Sequence, residues 1–210
     1  MRIAIPKGRL QDPTLALFAT AGYEVPDQRA IASRRLVFRC GPIEWILVKD
    51  CDVPVYVEYG AADAGVAGLD QLLEHRSTAY QPVELPFGRC RLMLIGAPDA
   101  GTVPTRIATK YPIVTRAWAD RRGLRAEVIP LGGSVELAAV LELTSHVVDL
   151  VETGETVRIH NLTMQELVTA VSPRLIVGKD VYRTAPAAAR DLVARVSVAA
   201  KEGAYETQLT

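Results

Sequence analysis

Cysteine is scarce in this chain of 210 residues: Cys40, Cys51 and Cys90 are all it has. Three scattered thiols cannot build a disulfide framework or a zinc site, and they read as small buried hydrophobes. Histidine is equally sparse. His75, His146 and His160 stand too far apart to suggest a metal site. No Ser/His/Asp or Cys/His arrangement points to a nucleophilic enzyme. A surplus of one charge is also missing, since 24 Lys and Arg balance 24 Asp and Glu. That balance argues against a sequence-independent nucleic-acid binder, which needs extra cations to neutralise phosphates. It leaves room for a local basic pocket. No run of about 18 apolar residues occurs, so no membrane span is expected. The opening Met1-Arg2-Ile3-Ala4-Ile5-Pro6 starts as a strand and lacks the longer apolar stretch of a signal peptide. A cytoplasmic location is the expectation.

What remains is an ordinary globular composition, 49% apolar and 23% charged, long enough for one large domain or two small lobes. Short apolar runs alternate with amphipathic segments, the pattern of an α/β fold. Arg2 to Pro6 reads as a first strand, and Asp12-Pro13 as the cap of a helix that Gly22 stops. Strands are expected at 36–39 and 45–48, a helix after Asp52-Val53-Pro54, a buried strand at 64–67, a helix from Asp70, and a strand over 89–95. A Pro- and Gly-containing loop follows Ala97, and then a second α/β series begins. It has strands at 106–109, 126–129 and 147–151, a helix over 112–122, and another over 134–143 capped by Ser134. A long β-type run spans 167–177, and an Ala-rich helix over 185–200, a packing or interface element, precedes a polar tail. The organisation predicted is two lobes around a cleft, with 1–88 and 178–210 in lobe I and 89–177 in lobe II. Ligands of α/β proteins bind at the carboxyl ends of strands.

The stretch richest in chemistry is Val147-Val148-Asp149-Leu150-Val151-Glu152-Thr153-Gly154-Glu155-Thr156. An apolar strand delivers Asp149, and a Thr-Gly-x-Thr turn follows. Such a turn aims backbone N–H groups and two hydroxyls at one point, a donor array suited to a phosphate. Gly154 lets the backbone approach closely and tolerates positive φ. Glu152 is placed to accept hydrogen bonds from ribose hydroxyls beside that phosphate. The side chain of Glu155 should point outward, because a carboxylate repels a phosphate. His160 reads as a helix-surface residue beyond the loop.

This stretch resembles the phosphoribosyl pyrophosphate loop of ATP phosphoribosyltransferases, and the likeness runs along nearly the whole chain. Ile5-Pro6-Lys7-Gly8-Arg9-Leu10 is similar to the family's opening signature. Asp52-Val53-Pro54-Val55-Tyr56-Val57-Glu58 with Gly60-Ala61-Ala62-Asp63-Ala64-Gly65-Val66-Ala67-Gly68 is similar to its second block. Phe87 to Leu92, Ile107 to Pro112, Gly133 to Ala138 and Ser172 to Val177 match further blocks in order. The resemblance implies attack by adenine N1 of ATP on C1 of the phosphoribosyl group, with magnesium pyrophosphate leaving. It also implies a fold like periplasmic ligand-binding proteins. Lys7, Arg9 and Lys49 would be the catalytic cations. Gly8, Arg89, Lys110, Asp149, Glu152, Thr153, Gly154, Glu155 and Thr156 would bind substrate. Mg²⁺ would be held mainly by substrate phosphates rather than by a protein cage. The long form of the family carries a C-terminal regulatory domain for which 210 residues leave no room. A short form is therefore implied: a homodimer within a hetero-oligomer whose separate regulatory subunit resembles histidyl-tRNA synthetase. No nucleic-acid or membrane partner is implied.

Four positions depart from the family pattern. Lys49 stands where arginine is usual, keeping the charge but losing the planar fork. Leu69 replaces a lysine, Ser145 an acidic residue, and Gly178 an asparagine. Two other readings stay open on those departures. One is a non-catalytic ligand-binding protein of the same architecture, and the other is a structural subunit that leaves turnover to a paralogue.

Overall fold

The computed structural model describes residues 1–33 and 35–207. It divides into two compact units: Met1–Gly88 with Ser172–Thr210, and Arg89–Val171. The first half of unit 1 runs β1 (Arg2–Pro6), α1 (Gln11–Thr20), α2 (Gln28–Ala32), β2 (Val37–Cys40), β3 (Ile43–Val48), α3 (Val53–Glu58), β4 (Ala64–Gly68), α4 (Leu69–Glu74) and β5 (Tyr80–Glu84). Unit 2 contributes β6 (Cys90–Gly96), β7 (Arg106–Thr109), α5 (Pro112–Arg121), β8 (Glu127–Pro130), α6 (Glu136–Val140), β9 (His146–Val151), α7 (Glu155–Ile159) and β10 (Thr163–Val171). The chain then completes unit 1 with β11 (Pro173–Val177), α8 (Lys179–Thr184) and α9 (Pro186–Thr207).

The unit 1 sheet has six strands in the order β2-β3-β1-β4-β11-β5. β1 runs parallel to both neighbours, and its Ile3, Ala4 and Ile5 are fully buried. That explains why its sequence is apolar without alternation, since a strand covered on both faces has no polar side. On one face Phe18 packs edge-on against Trp45 at 5.1 Å, with the Trp45 indole N–H donating to the Glu24 carbonyl at 3.0 Å. α9 covers that same core. Its Ala189, Leu192, Val196 and Ala199 repeat at helical spacing and are essentially buried, whereas Val198 is exposed. Each such Leu or Val contributes about 1.5–3 kcal/mol relative to exposure. The opposite face buries Ala4, Val53, Val57, Leu72 and Ile176.

α1 and α9 are also joined by polar contacts. Arg195 donates from Nε to the Ala21 carbonyl at 2.9 Å and from Nη2 to the Gly22 carbonyl at 2.7 Å. Its guanidinium lies 4.0 Å from the Tyr23 ring centroid. A cation therefore sits at the carboxyl end of α1, where the helix dipole favours it.

The unit 2 sheet has five strands, β10-β6-β9-β7-β8, with β7 parallel to β8 and β9 and β6 antiparallel to β9 and β10. Met93, Ile95, Ala108, Val147, Val151 and Val157 share one core.

Several expectations are corrected. The run over 167–177 is two strands, because Ser172 separates β10, paired with β6, from β11, paired with β4 and β5. The return to unit 1 therefore falls at Ser172 rather than 178. Asp12 lies inside α1, which starts at Gln11 after Leu10. Ser134 does not cap α6; it has φ +47, and α6 begins two residues later. Helices α2 and α8 and strand β5 carry too few periodic apolar positions to be read in advance. α9 continues past Ala200 to Thr207, and 208–210 of the expected polar tail lie outside the described residues.

Candidate functional site

In unit 1 the parallel register fixes one group of cations. Pro6 pairs with Val48, so β1 and β3 end side by side, and Lys7 and Lys49 are the next residues on each. The Lys7 N–H donates to the Val48 carbonyl at 2.8 Å, which continues the ladder one residue further. Gly8 then takes φ +93, and its carbonyl accepts from the Gln11 N–H at 3.0 Å, turning the chain into α1. A Cβ at Gly8 would meet nothing within 4 Å, so the backbone angle and not crowding favours glycine. Lys7, Gly8, Arg9 and Lys49 are all exposed at this strand end. β4, also parallel to β1, ends nearby at Gly68, followed by half-buried Leu69 and buried Asp70, which accepts from Gln71 Nε2 at 3.0 Å.

Unit 2 assembles the other expected residues at one end of its own sheet. Thr109 pairs with Val148 in parallel register, so Lys110 and Asp149 leave β7 and continue β9 side by side. β6 runs antiparallel to β9 with Arg91 opposite Val151, which places Arg89, just before β6, at the end of β9 where Glu152 and Thr153 follow. The loop 152–154 then leads into α7. Gly154 is the N-cap residue at φ +82, and Arg158 donates to its carbonyl at 3.1 Å. The expected Thr-Gly-x-Thr turn is thus the start of a helical turn, with the amide of Glu155 in contact with Thr153 Oγ1 at 3.4 Å. Glu152, Thr153, Glu155 and Thr156 are exposed. Residues Leu150 to Val157 line a depression of about 240 Å³. That is below the range usual for drug-sized ligands.

Asp149 is half-buried at this edge, with Oδ1 accepting the Leu150 N–H at 2.8 Å. Burial raises its carboxyl above the usual range, opposed by that hydrogen bond and by Lys110, and reinforced by Glu136. Glu136 opens α6 and was not singled out in the sequence, where its block gave no sign of facing Asp149. Thr109, likewise not singled out, is fully buried and donates its hydroxyl to the Val148 carbonyl at 2.7 Å.

The four departures divide between the ends of the sheets. Lys49 and Leu69 lie at the carboxyl ends of parallel strands in unit 1. Ser145 precedes β9 at the end opposite Glu152, a six-residue strand and so about 20 Å away. Gly178 follows β11, which runs antiparallel to β4, so it lies beside Asp63 at the start of β4; its N–H donates to the Asp63 carbonyl at 3.0 Å. His160 ends α7 as its half-buried C-cap residue.

The family model HisG, ATP phosphoribosyltransferase, matches residues 49–198. The ATP phosphoribosyltransferase of Deinococcus radiodurans is 41% identical over 196 residues, covering 93% of this chain and 89% of its own. That of Sorangium cellulosum is 42% identical over 203 residues, covering 95% of each. Among solved structures, the ATP phosphoribosyl transferase (HisG:HisZ) complex from Thermotoga maritima superposes with a TM-score of 0.84 at 30% identity, over 96% of this chain and 99% of that one. A protein solved with L-arginine bound gives 0.61 at 10% identity, over 99% of this chain and 86% of that one, a likeness of fold alone. The α/β fold like periplasmic binding proteins that the resemblance implied is therefore the one found. Matched by the family model over most of its length, and by full-length relatives well above the 30% level, the chain belongs to the ATP phosphoribosyltransferase family.

Proposed function

We propose that this protein transfers the phosphoribosyl group from phosphoribosyl pyrophosphate to N1 of ATP, releasing pyrophosphate, as the first step of histidine biosynthesis. The observation that carries the reading is the strand-end cluster of unit 2. There a left-handed glycine opens a helical turn directly after an apolar strand, with Arg89, Lys110 and Asp149 at the same edge. Thr153, Gly154, Glu155 and Thr156 surround the 5-phosphate, through amides and hydroxyls. Glu152 and Asp149 take the ribose hydroxyls as hydrogen-bond acceptors. Arg89 and Lys110 offset the charge of the pyrophosphate. Lys7, Arg9 and Lys49 act on polyphosphate charge, with Gly8 letting their loop turn.

The displacement breaks the C1–O bond to pyrophosphate as adenine N1 bonds to C1, and the electron pair leaves with the pyrophosphate. Positioning and charge stabilisation are what such a reaction asks of a protein. No cluster of three or more His, Cys, Asp or Glu side chains suited to a metal occurs among the described residues. That fits a magnesium ion that keeps most of its coordination on substrate phosphate oxygens and water. Bound that way, the ion would neutralise the leaving group. The HisZ named in the Thermotoga complex supports a separate regulatory subunit for this chain, within a hetero-oligomer. No helix among the described residues is long and apolar enough to cross a membrane, and a cytoplasmic enzyme is the reading we adopt.

The test is pyrophosphate release by the purified chain with ATP, phosphoribosyl pyrophosphate and Mg²⁺, alone and with a regulatory subunit. Release that requires both substrates is expected. ATP binding without release in either condition would make the chain a binding protein instead.

A further inference from the structure

Unit 2 buries several threonine hydroxyls, and that of Thr109 stands at the end of β7 beside the candidate site. Thr109, the last residue of β7, is fully buried and pairs in register with Val148, which is fully buried too. Burying a hydroxyl in such surroundings is unfavourable unless it is hydrogen-bonded. Here its bonding capacity is used completely. The Thr109 hydroxyl donates to the Val148 carbonyl at 2.7 Å and accepts from the Tyr111 N–H at 2.9 Å, with the Thr115 hydroxyl at 3.4 Å.

The two backbone partners explain the arrangement. β7 ends at Thr109, so the chain turns away from β9 at Lys110. The Thr109 hydroxyl bridges the carbonyl of Val148 and the amide of Tyr111, one on each side of the turn. Val148 directly precedes Asp149, and Tyr111 directly follows Lys110. One buried hydroxyl therefore fixes the backbone on the near side of both charged residues, and the 2%-exposed Tyr111 ring holds the far side of Lys110.

We infer that Thr109 is a positioning residue for phosphoribosyl pyrophosphate binding: its hydroxyl sets where β7 leaves the sheet, and so holds Lys110 beside Asp149 at the mouth of the phosphate loop. A valine would fill the same space and leave the Val148 carbonyl and Tyr111 amide without that bridge. The loss would fall on ligand geometry more than on the core. The inference rests on the reading of this edge as the phosphoribosyl pyrophosphate site.

The experiment measures binding of phosphoribosyl pyrophosphate with Mg²⁺ to the full chain by calorimetry, with thermal unfolding alongside. Thr109→Val is expected to weaken binding about tenfold while the protein stays folded, and Thr109→Ser, which keeps the hydroxyl, to return it to within about threefold of the native value. If Thr109→Val does not fold, Thr109→Cys carries the same expectation, because a thiol is a weak donor in a similar volume. Native affinity in the folded Val or Cys variant overturns the inference. So does a Ser variant as weak as Val, since the methyl group and not the hydroxyl would then matter. Lys110→Met is measured in parallel. A loss there with none at Thr109 removes only the positioning role, whereas native affinity in Lys110→Met removes this edge from the binding site and the inference with it.

Discussion

Replacing Gly154 by alanine separates the backbone angle of the proposed phosphate loop from its packing. At φ +82 the residue occupies the left-handed region, where an L side chain is disfavoured by about 1–2 kcal/mol. Space is not the obstacle. A Cβ there would sit 3.5 Å from Met164 Cε and 3.8 Å from Val151 Cγ1, ordinary contacts. The perturbation is thus close to pure strain at the entry to α7. A penalty of about 1.4 kcal/mol corresponds to a tenfold change in the population of the binding-competent loop. Calorimetric titration with phosphoribosyl pyrophosphate should show affinity lowered by about that factor. The thermal midpoint should fall by only a few degrees, since one residue at an exposed helix start is strained. Gly154→Asn is the informative companion. Asparagine is larger than alanine yet tolerates the left-handed region better, so it should bind more tightly than the alanine variant. Alanine at native affinity would refute the argument that this glycine shapes the site. Asparagine weaker than alanine would show that bulk, and not φ, decides.

Removing the guanidinium in Arg195→Met should lower stability by about 2 kcal/mol, from the lost hydrogen bonds to Ala21 and Gly22 and the contact with Tyr23. Urea unfolding reads the change, and substrate affinities should stay native. For Asp149, whose folded carboxyl is raised first by burial, the folded state binds its proton more tightly than the unfolded chain does. Its stabilising contribution is therefore full below the unfolded pKa and is lost as pH rises through the folded pKa. Asp149→Asn, which keeps an oxygen for the Leu150 N–H, should exceed the native protein in stability at pH 7 by urea titration, with the gap closing on acidification to about pH 4. A gap that widens in acid would contradict the assignment. Lys49→Arg restores a planar fork at the end of β3 and should leave or raise the rate of pyrophosphate release; a large loss would mean that the lysine does something an arginine cannot.

Elements with strong periodicity or uniform burial were legible in the sequence. β1, β4 and β9 announce themselves as apolar runs, and the Thr-Gly-x-Thr stretch suggests a phosphate only through its place after an apolar strand and beside Glu152. Pairing was not legible. Nothing in 167–177 tells that one half of the run joins β6 and the other half joins β4, because both halves are equally suited to strands. Short helices such as α2 and α8 escape for the opposite reason, carrying too few buried positions to make a pattern. At the candidate site the turn after β9 could be read, while the bonds of Thr109 and the influence of Glu136 on Asp149 could not. Their significance lies in a parallel register and a neighbouring helix start, which one-dimensional spacing does not encode. The departures at Ser145 and Gly178 also weighed more in the sequence than in the fold, where strand direction carries each to the far end of its own sheet.

The position of β11 has a consequence for how the polypeptide is made. β5 joins the unit 1 sheet through β11, whose residues 173–177 leave the ribosome after the whole of unit 2. Nascent unit 1 thus carries an incomplete sheet and a waiting strand while residues 89–171, one continuous segment, are synthesised and can fold first. The last turns of work come later still, when Arg195 reaches the end of α1 across a separation of 174 residues. Closure of the first-made unit is therefore a slow, long-range event, and the edge of β4 stays open to wrong partners until the chain is nearly finished.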